Sequence, residues 1–515
     1  MNPDQFLTRW YQKKINRKMK IAFVSAILFG LASHMFMMTN KLPNYDDVHC
    51  FLDDYGSGIQ VGRWMLFILG NIVRRTMGNI SLPWLNGLMC IFLLGITAAI
   101  VVDILEFKSD IICFLTGAVI TSFPAVTGTL FFMYTAVYYC GAACLAAWAV
   151  KLIKCKKVSC VIGGIFLISF AVGIYQAYFV WAVSLALLVM VTESLKDQAE
   201  GAALFKAGFR MLAALSGGLI LYLLCMKLFL FLKGANLSVY QNLDQMTAFE
   251  NIDFLGRIGL AYQNYGKLLW ENVGGINGLW ILRAALIILH VVIFVLAIFA
   301  WYRKKRQGKL LVALELMGML GIFPLAVNLI YVISQETYVY SIMLFSGVAI
   351  YLLSAVMVNG FIEEGKLLLC CRWTICAALF IVSLGQIQYA NIQYLIMNMQ
   401  YEQATSYFTT MVTQIKSLDG YKDTLKIALI GDQIEDKAFT YNEEFDEYSM
   451  GGRGNDLINL YSRVDFLKRY LGYEQEILSD TKPLEQSEIV QEMPAYPDKG
   501  SMKLIENVIV VKLEN

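Results

Sequence analysis

The chain has 515 residues, of which 58% are hydrophobic and 16% are charged, and its mean hydropathy is +0.56. Soluble domains carry about 25% charged residues, so the composition excludes a soluble protein and predicts a polytopic protein embedded in a lipid bilayer. The formal net charge is +2, and the basic residues cluster beside apolar runs, which argues against a nucleic-acid binder. Most of the 11 cysteines lie in apolar runs, so they predict core side chains rather than a disulfide framework.

The apolar runs predict the membrane spans, since about 20 such residues cross a bilayer. About eleven runs are long enough. A basic segment precedes the first run and no small-residue cleavage site follows that run, which predicts an uncleaved first span. The runs lie approximately at residues 20–38, 83–103, 110–127, 131–150, 158–175, 176–192, 209–230, 279–301, 310–332, 338–358 and 371–390.

The positions of Lys and Arg predict the orientation, because cytoplasmic loops carry an excess of both. Basic clusters lie in residues 1–20, 151–157 and 303–309, so we expect a cytoplasmic N-terminus. The first loop, at residues 39–82, and the tail from residue 391 then lie outside the cytoplasm.

The predicted fold class is an all-α polytopic membrane domain at residues 1–390, followed by a small extracytoplasmic α/β domain at residues 391–515. In this tail, apolar spacing predicts helices at 395–418 and 456–472 and strands at 424–430 and 506–513. The tail contains no GxGxxG, Walker or Ser/His/Asp signature, so it gives no sign of independent chemistry.

The stretch Asn44–Trp64 holds an unusual concentration of charge between two apolar runs. Asn44 is a predicted helix N-cap that places Asp47 at the third helical position. Two interpretations stay open: a water-facing functional site, or a solvated acidic loop with a local salt bridge. The carboxylates, the histidine and the arginine of the stretch are Asp46, Asp47, His49, Asp53, Asp54 and Arg63. The next residues, 64–73, are too short to span and predict a helix lying at the outer membrane surface.

These residue types suit glycosyl transfer from a lipid-phosphate donor. The acceptor hydroxyl needs a carboxylate base, for which Asp46 or Asp47 is suited, and the leaving phosphate needs a cation such as Arg63. His49 with Asp46 and Asp53 could bind a divalent cation, Mg²⁺ or Mn²⁺; the alternative is a hydrogen-bonded surface histidine, and the metal stays unknown.

The stretch also resembles a known family. Its pattern is YDD followed by YxxGxxxGRW directly after a first span, Phe123-Pro124 at the end of the third span, and a Gly-x-Tyr-Gln segment at Gly173–Gln176. This combination resembles the polytopic membrane glucosyltransferases of the O-antigen-modifying type over roughly residues 20–390. The residues of the first pattern are Tyr45, Asp46, Asp47, Tyr55, Gly58, Gly62, Arg63 and Trp64.

The resemblance implies GT-C architecture, a bacterial cell membrane, a polyprenyl-phosphate-linked sugar donor, with glucose as the sugar, and a cell-surface glycan acceptor. It implies that Asp46 and Asp47 are catalytic and that Arg63, Tyr175 and Gln176 line the donor cavity. Residues 334–338 lack the arginine expected in relatives, which shifts phosphate binding to Arg63 or Lys267. His49, Asp53 and Asp54 are expected to have acceptor-binding or structural roles.

Two other classes stay open from the sequence. A flippase or transporter for a lipid-linked sugar predicts ionisable residues along a path through the bundle, whereas here the charges concentrate at the predicted outer face. A non-enzymatic membrane scaffold predicts that the loop carboxylates are dispensable.

Overall fold

A computed structural model of the chain describes residue 2 and residues 15–49, 58–78, 81–238, 254–270, 280–333, 339–361, 365–431 and 457–514. The chain divides into two compact units. One consists of Met1–Asn40 with Asp54–Asn391, and the other of Lys41–Asp53 with Ile392–Asn515. They are called the membrane unit and the tail unit here.

Helices dominate the chain up to residue 416. In order, they are α1 (Arg17–Thr39), α2 (Tyr45–His49), α3 (Trp64–Met77), α4 (Pro83–Ile104), α5 (Asp110–Ser122), α6 (Pro124–Phe131), α7 (Met133–Lys154), α8 (Val158–Ile174), α9 (Tyr178–Leu195), α10 (Gly201–Lys233), α11 (Phe254–Trp270), α12 (Trp280–Arg306), α13 (Leu310–Val327), α14 (Ile330–Ile333), α15 (Val348–Asn359) and α16 (Lys366–Lys416). Short 3₁₀ turns at Ser341–Met343 and Phe345–Gly347 precede α15.

Nine helices in the described part of the chain are long and apolar enough to cross a membrane, counting Asp110–Phe131 as a single span. Two further apolar helices are shorter, α8 and the stretch Phe345–Asn359. The mostly helical, multi-pass class is confirmed, but two of the predicted spans, at 158–175 and 338–358, correspond to these shorter helices, so nine rather than about eleven reach span length in the described residues.

Two interruptions between helices follow directly from the sequence. Pro124 occupies the first position of α6 because proline has no N–H to continue α5 and its ring fixes the backbone for a new start. The chain also turns at Tyr175–Ala177, between α8 and α9, where the amide of Phe179 donates to the Gln176 carbonyl at 3.1 Å. Irregular backbone at membrane depth needs such partners, and this turn fixes the direction of the Tyr175 and Gln176 side chains.

Close contacts between small residues hold the first helices of the membrane unit together. Helix α1 packs against α4 and α5. At Gly117 of α5, a Cβ atom would collide with the backbone carbonyl of Ala22 in α1. Glycine therefore permits the two backbones to approach, as is typical of membrane helix pairs.

An ion-pair cluster joins the ends of α4, α7 and α9 at the predicted cytoplasmic side. The ammonium of Lys154 lies 2.6 Å from Glu106 and 3.3 Å from Glu193. Lys196 lies 2.9 Å from Glu106 and 2.8 Å from Glu193. Because two cations alternate with two carboxylates, the cluster is a network rather than an isolated surface pair, which would contribute little.

The tail unit contains a three-stranded sheet built from β1 (Lys426–Ile430), β2 (Met502–Ile505) and β3 (Val508–Lys512), in the order β1-β3-β2. Strand β1 pairs in parallel with β3, with Ile427 opposite Ile509, and β2 pairs antiparallel with β3. One face packs on apolar residues of α16 beyond Ile392, among them Phe408.

The tail differs from its sequence-based prediction in three places. The helix predicted at 395–418 is the end of α16, a single helix of 51 residues. The helix predicted at 456–472 is reduced to α17 (Arg463–Asp465), followed by a π-type turn at Phe466–Tyr470. Strand β2 was not predicted; it has only four residues, which is too short for a pattern to identify. The strands predicted at 424–430 and 506–513 are present as β1 and β3.

Candidate active site

The turn that leads into α3 carries the Gly62-Arg63-Trp64 motif. The amide of Gly62 donates to the Ile59 carbonyl at 2.9 Å, and its φ is +76°. This left-handed conformation favours glycine, because a side chain would strain the backbone. The turn thus sets the direction in which Arg63 leaves the backbone.

Trp64 anchors the start of α3. Its side chain is 3% exposed, stacks on Phe229 of α10 with ring centroids 5.5 Å apart, and meets Phe170 of α8 edge-on. A Cβ atom at Gly173 would lie 2.7 Å from the indole ring, so glycine there makes room for the tryptophan. Arg63 therefore lies beside a rigid contact of α3, α8 and α10.

Two tyrosines orient the Arg63 guanidinium. Its Nη1 donates a hydrogen bond of 3.0 Å to the Tyr139 hydroxyl, and its central carbon lies 4.8 Å from the centroid of the Tyr175 ring. The two tyrosine rings stack with centroids 4.5 Å apart, and both residues are 3% exposed. This combination of a hydrogen bond and a cation–π contact holds the guanidinium in a defined orientation.

Gln176 lies beside this cluster and binds the Gly62 turn. Its Nε2 donates to the Val61 carbonyl at 2.7 Å and to the Tyr222 hydroxyl at 3.3 Å. A Cβ atom on Gly62 would lie 2.7 Å from that hydroxyl and 2.8 Å from Gln176 Nε2. The structure therefore brings Arg63, Tyr175 and Gln176 together, and their role in lining a donor cavity stays a prediction.

The sequence did not single out Tyr139 and Tyr222 for this cluster. Both lie in apolar helices, Tyr139 in α7 and Tyr222 in α10, and tyrosines at the ends of membrane helices usually indicate only interfacial anchoring. The one available signal was the adjacency of Tyr138 and Tyr139 near the start of a span.

The acidic pair lies in the tail unit, on α2. The Asn44 side chain accepts a hydrogen bond of 2.8 Å from the Asp47 amide, which confirms the predicted N-cap. Asp47 is 5% exposed, and Asp46 is half-buried. Val48 is fully buried in the core of the tail unit, so this short helix packs as part of that unit.

Residues of the Phe466–Tyr470 turn surround α2. Arg469 Nη1 donates to the Val48 carbonyl at 3.0 Å, and the Lys41 ammonium lies 4.0 Å from the centroid of the Tyr470 ring. Burial, and next the negative charge of Asp47, raise the pKa of the Tyr470 hydroxyl well above its usual value. Burial lowers the pKa of Lys41.

The other predicted site residues are scattered or lie beyond the described part. Lys267 is exposed in the last turn of α11, a helix that packs against α12, α13 and α14. The side chain of His49, residues Asp53 and Asp54, and the loop 334–338 lie outside the described residues.

No cluster of three or more His, Cys, Asp or Glu able to hold a metal ion occurs within the residues that the structure describes. The combination predicted for a divalent cation includes Asp53 and the His49 side chain, which lie outside that set. The metal site therefore stays a prediction.

The long apolar helices define a membrane-embedded protein of the helical multi-pass class, and the cluster of Arg63, Tyr139, Tyr175 and Gln176 is its candidate site. The model of one family, the glucosyl transferase GtrII family, matches residues 35–351. The match covers more than half of the chain, and the chain belongs to this family. Neither the curated proteins nor the solved structures include a match.

Family membership establishes the class of activity. The protein is a glycosyltransferase, which confirms the resemblance found in the sequence and supports an enzyme over a transporter or scaffold. The matched range contains the acidic pair, the Gly62-Arg63-Trp64 turn and the Tyr175–Gln176 segment.

Proposed function

We propose that the protein transfers glucose from a polyprenyl-phosphate donor to a cell-surface glycan at the outer face of a bacterial cell membrane, with GT-C-like architecture. The observation that carries the proposal is the Arg63 guanidinium, held by the Tyr139 hydroxyl at 3.0 Å and the Tyr175 ring. A fixed planar fork of this kind suits bidentate binding of a phosphate oxygen pair.

The donor is proposed to bind in the membrane unit, where its lipid tail lies among apolar helices. Arg63 binds the phosphate, and Tyr175 and Gln176 line the sugar and phosphate path. Lys267 is the alternative cation for the phosphate. Preorganised donors are effective because they need no rearrangement as charge develops on the leaving group.

The reaction is proposed to proceed with inversion. Asp46 or Asp47 accepts the proton of the acceptor hydroxyl, and the hydroxyl oxygen forms a bond to the anomeric carbon of glucose. The bond between that carbon and the phosphate oxygen breaks through an oxocarbenium-like state. Polyprenyl phosphate then leaves with the bonding electron pair, stabilised by Arg63. His49, Asp53 and Asp54 have acceptor-binding or structural roles in this proposal.

The outer face is proposed from the distribution of basic residues. Clusters such as Arg303–Arg306 end α12, and the positive-inside rule places them in the cytoplasm together with the N-terminus. The tail unit, which follows the last span, then lies outside with the glycan acceptor.

The proposal is tested with Asp46→Asn and Asp47→Asn in membranes supplied with polyprenyl-phosphate glucose. We expect a loss of transfer of ~10²-fold or more in at least one variant, at normal protein level, because a positioned base contributes that much. The matched control is Glu488→Gln, at an exposed position of the tail unit. Full transfer in both aspartate variants would rule out the proposed base.

A further inference from the structure

We propose that Arg469 and Tyr470 of the tail unit are positioning residues that hold the acidic pair in its working orientation. The proposal rests on the function proposed above and assigns the tail unit a role within it. Sequence motifs gave no indication of this role, because the tail contains no recognisable catalytic signature.

Helix α2 is too short to be stable by itself. It has five residues, and isolated helices shorter than about 12 residues are marginal in water. The orientation of Asp46 and Asp47 must therefore come from contacts made by the residues around them. At the N-terminal end, the Asn44 side chain supplies one of these contacts.

The Phe466–Tyr470 turn contacts the chain on both sides of Asp46 and Asp47. At the C-terminal end of α2, Arg469 Nη1 donates to the Val48 carbonyl at 3.0 Å. This bond satisfies a carbonyl that a helix end leaves without a partner and places a positive charge at the negative end of the helix dipole. Ahead of its start, the Lys41 ammonium lies 4.0 Å from the centroid of the Tyr470 ring.

Packing in the core of the tail unit fixes the Phe466–Tyr470 turn. The Tyr470 and Phe466 rings stack with centroids 5.2 Å apart and planes 3° apart, and Phe466 is fully buried. Arg469 Nε lies 3.3 Å from a carboxylate oxygen of Asp465, which limits the directions its guanidinium can take. Val48 joins the same core as Phe466.

These contacts bear on rate rather than on donor affinity. Misplacing a catalytic group by about 1 Å can cost ~10²-fold in rate, whereas the proposed donor contacts belong to the membrane unit. Loss of the Arg469 contact should therefore lower kcat and leave the KM for the lipid donor unchanged.

The test uses the full chain reconstituted in vesicles with polyprenyl-phosphate glucose and a membrane glycan fraction. Arg469→Met removes the donor to Val48, and Arg469→Lys restores a cation with N–H groups. Lys468→Met is the matched control, because Lys468 is the exposed neighbour in the same turn. Lys41→Met removes an exposed side chain from the Tyr470 ring without altering the core.

We expect Arg469→Met to lower kcat ~10-fold or more at unchanged donor KM, Arg469→Lys to restore most of it, and Lys468→Met to match the parent. Lys41→Met should lower kcat by ~2- to 5-fold, the effect of one exposed cation–π contact. Undiminished kcat in Arg469→Met and Lys41→Met would overturn the positioning role. An equal fall in kcat in Lys468→Met would also overturn it, as would a change in donor KM with no change in kcat.

The outcome also separates this inference from the proposed function. If Asp46→Asn and Asp47→Asn both transfer glucose normally, the proposed base is wrong whatever the Arg469 variants do. If the aspartate variants lose transfer while the Arg469 and Lys41 variants keep it, the base stands and only the positioning role fails.

Discussion

Arg63 and Tyr139 are 76 residues apart in the chain and are joined by a hydrogen bond of 3.0 Å from Nη1 to the phenol oxygen. The bond holds the plane of the guanidinium, and a planar fork of N–H donors is the geometry that suits a bidentate contact with phosphate. The predictions for the membrane unit start from this pair.

Arg63→Lys should weaken donor use although the charge is kept. A lysine offers a point charge and loses the planar fork that binds two phosphate oxygens at once. We expect the donor KM to rise ~10-fold, measured as glucose transfer at varied donor concentration. Arg17→Lys is the control, because Arg17 forms an exposed ion pair with Asp110 at 2.7 Å. Equal donor KM values for Arg63→Lys and the parent would contradict the phosphate role.

Tyr139→Phe should also raise the donor KM, by a smaller factor than Arg63→Lys. The substitution keeps the ring that stacks on Tyr175 at 4.5 Å and removes only the hydroxyl that accepts from Arg63. The lost bond is worth on the order of 1 kcal/mol, so we expect a donor KM ~5-fold higher. Tyr262→Phe, which removes a hydroxyl bonded to the Gly321 carbonyl at 2.9 Å, should leave the donor KM unchanged. A Tyr139→Phe enzyme with the donor KM of the parent would contradict the orienting role.

Gly62→Ala should disturb the site through crowding as well as backbone strain. The strain at φ +76° costs about 1–2 kcal/mol, and the new methyl would lie 2.8 Å from Gln176 Nε2, so Gln176 must move. Gly78→Ala separates the two effects, because its φ is +88° and nothing lies within 4 Å of its Cβ position. We expect glucose transfer to fall several-fold in Gly62→Ala only. Equal transfer rates in the two variants would show that crowding of Gln176 does not matter.

The ion-pair cluster at Glu106 predicts a pH-dependent stability. Burial would raise the pKa of the Glu106 carboxyl, but hydrogen bonds from Lys154 and Lys196 outweigh it, and the pKa lies below its usual value. The stabilisation is then complete above the unfolded-state pKa of about 4.3 and is lost as the pH falls through the lower folded-state pKa.

Glu106→Gln should therefore lower the Tm at pH 7, and the difference from the parent should shrink as the pH falls below about 4. The measurement is thermal unfolding of the detergent-solubilised protein across this pH range. Glu200→Gln, at an exposed position, is the control. A Tm difference that stays constant as the pH falls would show that the Glu106 charge does not contribute.

The features that could be predicted from the sequence are local ones. Apolar runs of span length, the Asn44 cap and the boundary between the runs 158–175 and 176–192 each depend on residues within a few positions of one another, so pattern and capping rules identify them. The Arg63, Tyr175 and Gln176 cluster followed from the family resemblance, because each residue lies in a recognisable motif.

The features that could not be predicted depend on partners far away in the chain. Tyr139 is an ordinary tyrosine in an apolar helix until the fold brings it to Arg63. Similarly, β2 has only four residues and is recognisable as a strand only through its pairing with β3. The segment 456–472 forms α17 and a π-type turn where its spacing predicted a longer helix. Roles for Asp46, Asp47 and Lys267 in catalysis stay predictions.

The bond from Arg469 to Val48 joins residues 421 positions apart, and this separation has a consequence for biosynthesis. The ribosome synthesises the acidic helix α2 early, but Arg469 emerges only after all of the predicted spans have been translated. A chain terminated before Arg469 would insert its helices and still leave those carboxylates without their support. Synthesis of almost the whole polypeptide therefore precedes assembly of the proposed catalytic pair, so truncated copies in the membrane are expected to be inert toward sugar.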